Sequence, residues 1–235
     1  MLDTEFLTIL GLGLVLGLRH ALDTDHLAAV STMLAQRPSL RASGMIGLSW
    51  GLGHTVVLLL AGAVVLVLRV SIPEPMALAA EFGVGMMLVF LGGMLAIRLV
   101  RERWHVHAHD HDGAQHMHLH SHALVEDHGH GHWWRDSIRP FCVGMAHGLA
   151  GSAALLLIVL SSARSVSEGL MYISVFGFGS IVGMVLVGMV VSLPVLWSLN
   201  LGRQVFLALQ GLASLGSVVV GFTMMYQIAF GGQLF

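Results

Sequence analysis

The chain has 235 residues, of which 56% are hydrophobic and only 10% charged, with a formal net charge of −2. Soluble domains carry about a quarter charged residues, so this composition points away from them and toward an all-α, polytopic membrane protein. The charge offers no footing for nucleic acid, and one cysteine, Cys142, allows neither an intrachain disulfide nor a thiolate metal cage.

Six stretches are long enough to cross a hydrocarbon core, which takes about 20 apolar residues. They fall near 6–35, 44–68, 77–99, 138–161, 170–198 and 204–230. Met1–Phe6 carries Asp3 and Glu5 instead of a basic leader, and apolar runs recur to the C-terminus. Neither a signal peptide nor a single anchor is therefore expected. Connections are short except the third, Val100–Ser137, so neighbouring helices should pack antiparallel. The chain then divides into a first three-helix unit at 1–100, a loop at 101–137 and a second three-helix unit at 138–235.

Arginine placement orients the spans, because basic residues are retained on the cytoplasmic side. Alternate connections hold eight arginines on one side (37, 41, 98, 101, 103, 135, 139 and 203) against Arg69 and Arg164 on the other. Both termini are thus expected outside the plasma (inner) membrane and the long loop in the cytoplasm. Gly17-Leu18-Arg19-His20 aligns with Gly144-Met145-Ala146-His147, and Gly51-Leu52-Gly53-His54 with Gly177-Phe178-Gly179-Ser180. Gly83 and Gly93 align in turn with Gly211 and Gly221. With an odd number of spans per half, this predicts a 3+3 inverted repeat, a common plan of secondary transporters with the site at the repeat interface.

Arg19 to His26 packs one arginine, two histidines and two aspartates between apolar flanks. Ionisable groups at such depth face a protein interior or a wet cavity and mark function. Each residue of an ideal helix turns about 100°, so His20 and Asp23 share a face while Asp25 points nearly opposite. An unbroken helix cannot aim His20, Asp23, Asp25 and His26 at one ion. Either the helix opens around Ala21–Thr24 or Asp25 serves another partner; Arg19 and Asp23, at i and i+4, could also simply neutralise each other. Imidazole with carboxylate suits nickel, cobalt or zinc. His54 is a second candidate ligand, and His147 a third that aligns with His20 but has no acid near it. Ser152 with His147 makes no hydrolase, because five residues apart on one helix they face different directions.

The third connection holds eleven of the fifteen histidines, mostly at alternate positions and mixed with Asp110, Asp112, Glu126 and Asp127. This is the composition of a flexible metal-binding tract, and histidine with an ordinary pKa of about 6.5 is mostly neutral and metal-competent at neutral pH.

Arg19-His20-Ala21-Leu22-Asp23-Thr24-Asp25-His26-Leu27 resembles the R-H-A-x-D-A-D-H-I signature of the nickel/cobalt transporter (NiCoT) family, with Thr24 and Leu27 as departures. Leu52-Gly53-His54-Thr55-Val56-Val57 resembles that family's second signature, L-G-H-[ST]-x-V. The G-F-D-T-A-T-E segment of typical eight-span members is absent. The shorter chain and the run His147–Ala154 look more like the six-span nickel permeases associated with urease maturation. The resemblance implies uptake of Ni2+ or Co2+ as transported substrate, with His20, Asp25 and His26 as the motif residues on which transport depends and His54 in support. It leaves no enzyme activity or resident cofactor to expect, and it suggests cytoplasmic metallochaperones of a nickel enzyme as partners.

The expected site is therefore His20, Asp23, Asp25, His26, His54 and His147, in a secondary permease for a divalent transition metal. Two other readings are open to the residues: a metal exporter fed by the histidine loop, and a membrane electron carrier with haem between paired histidines. No G-x-x-x-x-G-K-[ST] phosphate loop is present, and the chain has no lysine with which to build one.

Overall fold

A computed structural model describes residues 4–36, 38–102, 107–111, 114–118, 133–150, 159, 163 and 165–231. Among these, seven helices and one short hairpin form the fold: α1 Thr4–His20, α2 Thr24–Leu34, α3 Leu40–Leu68, α4 Glu74–Glu102, β1 His107–His111, β2 Ala114–His118, α5 Trp133–Ala150, α6 Val166–Leu201 and α7 Arg203–Phe230. Gly151–Ala154 with Ser152, Arg37, Arg103, Arg164 and the histidines at 105, 120, 122, 128, 130 and 132 lie outside the described residues.

Four helices, α3, α4, α6 and α7, are long and apolar enough to cross a bilayer. Their ends follow local chemistry. The α3 helix stops where Arg69 takes a left-handed backbone with φ 52°, and Pro73 and Pro75 bracket the start of α4. Ser165 caps α6 by accepting a hydrogen bond from the Glu168 N–H at 3.2 Å. Only Gly202, at φ 108°, separates α6 from α7, a turn that a residue without Cβ makes at no steric cost. The stretch expected as one span over 6–35 is instead two helices, α1 and α2, interrupted at Ala21–Asp23.

The helices approach closely because glycines line the contacts. A Cβ at Gly17 would meet the Phe176 carbonyl, and one at Gly144 would meet the Trp50 carbonyl. Gly53 lies against the Phe141 carbonyl and Gly179 against that of Leu14; Gly51 lies against Ile181 and Gly177 against Thr55. Thus α1 packs on α6, α5 on α3, and α3 on α6. The α4–α7 contact is made by Gly85 with Gly221 and by Gly92 with Ser214. Gly83, Gly93 and Gly211 face open space, so Gly92, one residue from the Gly93 expected from alignment, carries that packing. Small residues are what helix pairs use where lipid supplies no hydrophobic drive. Buried hydroxyls add bonds across the same interface, Ser214 to the Gly92 carbonyl and Ser217 to the Leu88 carbonyl, each at 2.8 Å.

Two apolar clusters fill the interior. One gathers Ala28, Ala29, Val30, Leu34, Ile46, Trp50 and Met184; the other gathers Leu58, Val65, Leu66, Tyr172, Ile173 and Phe176. The large side chains turned outward, among them Leu60, Phe90, Trp197 and Phe222, are what lipid contact requires. In the loop region, β1 and β2 pair antiparallel with His107 opposite His118 and His109 opposite His116.

Candidate metal centre

The break in the first span positions the site. Its turn is held by the Leu22 N–H on the Arg19 carbonyl at 2.9 Å and the Asp23 N–H on the His20 carbonyl at 3.1 Å. Asp23 is extended, at φ −61° and ψ 145°, in the N-cap position of α2, yet its side chain caps nothing. Its Oδ2 lies 2.7 Å from His20 Nδ1 instead. Arg19 is exposed, so the arginine–aspartate neutralisation open to the sequence is replaced by a histidine–aspartate pair. Asp25 sits in the first turn of α2, where a carboxylate complements the positive end of the helix dipole.

Interrupting the helix at Ala21–Asp23 brings together what an unbroken helix would separate. The His20 ring centroid lies 4.6 Å from that of His26 and 4.9 Å from that of His54 on α3. His26 and His54 are 5.6 Å apart, and His147, from α5, stands 4.9 Å from His26. His26, His54 and His147 are buried, at 2%, 1% and 2% exposure. One ligand atom from each of His20, His26 and His54 falls within 4.8 Å of the others, as does one from each of Asp23, Asp25 and His26. Two nitrogens on opposite sides of one ion, each about 2.0–2.1 Å from it, stand about 4 Å apart. Small ring movements therefore suffice to close the first group on an ion. In the pairs His20–His26, His20–His54, His26–His54 and His26–His147 the rings are too close for a porphyrin to lie between them.

The ring nitrogens divide their work. His26 Nδ1 is 3.2 Å from Asp25 Oδ1, and His147 Nδ1 is 3.2 Å from the Val143 carbonyl. A neutral ring that donates through Nδ1 keeps its lone pair on Nε2, the arrangement typical of metal-ligating histidine. Nε2 of His26, Nε2 of His147 and both nitrogens of His54 are buried without a hydrogen-bond partner. Unpaired buried polar atoms cost about 1–3 kcal/mol each, and since a neutral imidazole carries a single lone pair, these three rings offer three nitrogens that could hold a cation. Asp25 also reaches His147, Oδ2 to Nε2 at 3.7 Å. Asp23 is half exposed.

The profile of a family described as "NicO: High-affinity nickel-transport protein" matches residues 6–209. The chain belongs to the NicO family. It is 33% identical over 237 residues to a urease accessory protein, UreH, of Bacillus sp. (strain TB-90), with 99% of this chain and 97% of that protein covered. No solved structure matches. As a NicO protein the chain is a multi-pass membrane protein of metal transport and not an enzyme, with nickel as substrate of the family rather than a resident cofactor. The buried histidine cluster lies within the matched part of this NicO chain, as do all six residues expected from the sequence.

Two neighbours of the cluster escaped sequence reasoning. Trp50 stacks on His26 with centroids 5.7 Å apart and lies 5.0 Å from His147, and Phe176 is 5.5 Å from His20. The signal for Trp50 is its place one turn before His54 on α3. For Phe176 it is the alignment of Gly51 with Gly177, which sets the two aromatics at the same position.

Proposed function

We propose that this protein is a secondary permease that takes up Ni2+, with Co2+ as the congener it also accepts. The observation that carries the reading is the cluster of His20, His26, His54 and His147 at a broken helix, with unpartnered imidazole nitrogens inside a bundle of membrane-crossing length. Imidazole favours a borderline divalent ion such as nickel over a hard one such as magnesium. A broken span presents helix ends and open backbone to an ion, which bilayers tolerate only around a protein-lined path.

In this reading the half-exposed Asp23 and the partly exposed Asp25 attract the hydrated ion and begin to replace its water. His20, His26 and His54 then take it by their free ring nitrogens, and His147 brings a donor from the second half of the chain. Asp23 and Asp25 hold His20 and His26 in the ligating orientation through their Nδ1 atoms. Metal ligands must be deprotonated to bind, so each histidine acts as a neutral donor.

The architecture proposed is six spans in a 3+3 inverted repeat, units 1–100 and 138–235 joined by the loop 101–137. Its support is the pairing of contacts: Gly17 on Phe176 mirrors Gly144 on Trp50, Gly53 on Phe141 mirrors Gly179 on Leu14, and Gly85 on Gly221 mirrors Gly92 on Ser214. The arginine-bearing ends, with Arg41 and Arg98, are placed in the cytoplasm together with the histidine loop, and both termini outside. Uptake toward that loop suits delivery to cytoplasmic nickel metallochaperones, consistent with the urease accessory name of the relative.

The test is radiolabelled nickel uptake into cells or proteoliposomes with wild type, His26→Ala and a deletion of 105–132, with cobalt and zinc as competitors. Inward accumulation lost in His26→Ala is expected. Reduced accumulation relative to empty cells makes the protein an exporter, and wild-type flux through His26→Ala refutes the site.

A further inference from the structure

The deep imidazoles are shut in from both ends. Trp50 is wholly buried and lies on α3 four residues before His54, about 6 Å nearer the end of the bundle that carries Arg41 and Arg98. It belongs to the apolar cluster with Ala28, Val30, Leu34, Ile46 and Met184. These residues run from the break toward that same end, where Arg98 donates to the Gln36 side chain at 3.2 Å. Phe176 is 5% exposed, next to Gly177, whose carbonyl accepts from Thr55 at 3.2 Å. It belongs to the other cluster, with Leu58, Leu66, Tyr172 and Ile173, toward the end where α3 stops at Leu68. The histidines lie between the two clusters, with one aromatic ring from each against them.

The two aromatics also hold equivalent places. Trp50 presents its carbonyl to Gly144 of α5, and Phe176 presents its carbonyl to Gly17 of α1. Each thus stands at a close backbone contact between one half of the chain and the helix bearing His147 or His20. An ion in the cluster has apolar side chains above and below, and a dication does not cross such a layer unpaired. The Trp50 indole N–H has no hydrogen-bond partner, so turning that ring aside breaks no hydrogen bond.

We propose that Trp50 and Phe176 are the two closures of the ion path: Trp50 seals the histidine cluster from the Arg98 end, Phe176 from the opposite end, and they open one at a time. This rests on the reading of the cluster as the transported-ion site. Because the rings occupy equivalent positions in two halves of opposite sense, the motion that frees one ring need not disturb the other, and a leak through both is avoided.

The experiment uses the full chain with Cys142→Ser and His54→Cys, so that residue 54 is the sole thiol, labelled by a membrane-impermeant methanethiosulfonate in right-side-out and inside-out vesicles. Ser39→Cys in the same Cys142→Ser background, without the change at 54, reports which vesicles present the Arg98 end. Labelling at 54 is slow from both faces when both aromatics are present. Trp50→Ala is expected to speed it about tenfold or more from the Arg98 face only, and Phe176→Ala by as much from the opposite face only, each tenfold being about 1.4 kcal/mol in the opening equilibrium. Trp50→Phe restores slow labelling. Trp50→Val and Phe176→Val are read the same way if an alanine variant does not insert. Acceleration from both faces, from neither, or from the wrong face overturns the proposal. Nickel uptake by wild type is measured separately: side-specific labelling without uptake refutes the nickel reading and leaves the closures, whereas uptake with side-blind labelling does the reverse.

Discussion

Replacing Asp25 by asparagine separates an orienting carboxylate from a ligating one. Asp25 Oδ1 lies 3.2 Å from His26 Nδ1 and Oδ2 lies 3.7 Å from His147 Nε2. Asparagine keeps the size and an acceptor oxygen for His26, so what is lost is the charge. Hydrogen bonds to charged groups are worth about 1.5–3 kcal/mol against about 0.5–1.5 for neutral ones, and at 3.2 Å this contact belongs at the weaker end of each range. The difference, about 1 kcal/mol, is roughly a fivefold loss of affinity. Losing the carboxylate's attraction for a dication adds to it, so the expected total lies within the roughly 10–100-fold seen when the partners of ligating histidines are changed. The assay is the half-saturating nickel concentration for uptake, with equilibrium dialysis of the purified protein as a second reading. Asp25→Asn should raise both about tenfold or more and leave measurable transport, whereas His26→Ala abolishes it. Unchanged half-saturation refutes the orienting role; a loss as complete as that of His26→Ala makes Asp25 a direct ligand.

Gly17→Ala and Gly144→Ala each drive a methyl into a carbonyl of the facing helix, and such overpacking costs about 1–3 kcal/mol. Lower thermal midpoints in detergent are expected for both, while Gly93→Ala and Gly211→Ala, where a methyl meets open space, should leave the midpoint unchanged or raise it. Gln210→Leu removes the 2.6 Å hydrogen bond from the side-chain amide to the Ala35 carbonyl at the end of α2. The buried carbonyl then loses a partner at about 1–3 kcal/mol, seen as a lowered midpoint and faster amide exchange in α2. Deleting residues 105–132 should slow accumulation at low external nickel while leaving the affinity of the intramembrane histidines as in wild type, measured by uptake against nickel concentration.

The class of the protein was legible in the sequence, as were the residues of its candidate site. Apolar runs separated by Pro38, Pro73 and Pro75 mark spans because a bilayer forces backbone groups to pair within the segment, and that pattern is local. A dense run of ionisable residues such as Arg19–His26 is legible for the same reason, since its cost in lipid leaves few readings but a functional one. Of the glycines whose alignment suggested a repeat, Gly17, Gly51, Gly53, Gly144, Gly177, Gly179 and Gly221 line helix contacts, whereas Gly83, Gly93 and Gly211 meet open space.

The tertiary structure decided which of the local alternatives holds. Whether the helix opens at Ala21–Asp23 or stays continuous depends on whether Asp23 finds a partner better than its own backbone. His20 supplies it only because α1 ends there. The approach of His147, the last-turn histidine of a helix more than a hundred residues away, follows from α5 lying on α3 through Gly144 and Gly148, a contact that no local periodicity encodes. Nor does any property of Trp50 or Phe176 in its own helix reveal that the two rings face one cluster from opposite ends. Propensity and hydropathy act along the chain, whereas a buried histidine cluster and the apolar side chains around it arise from residues that meet across it.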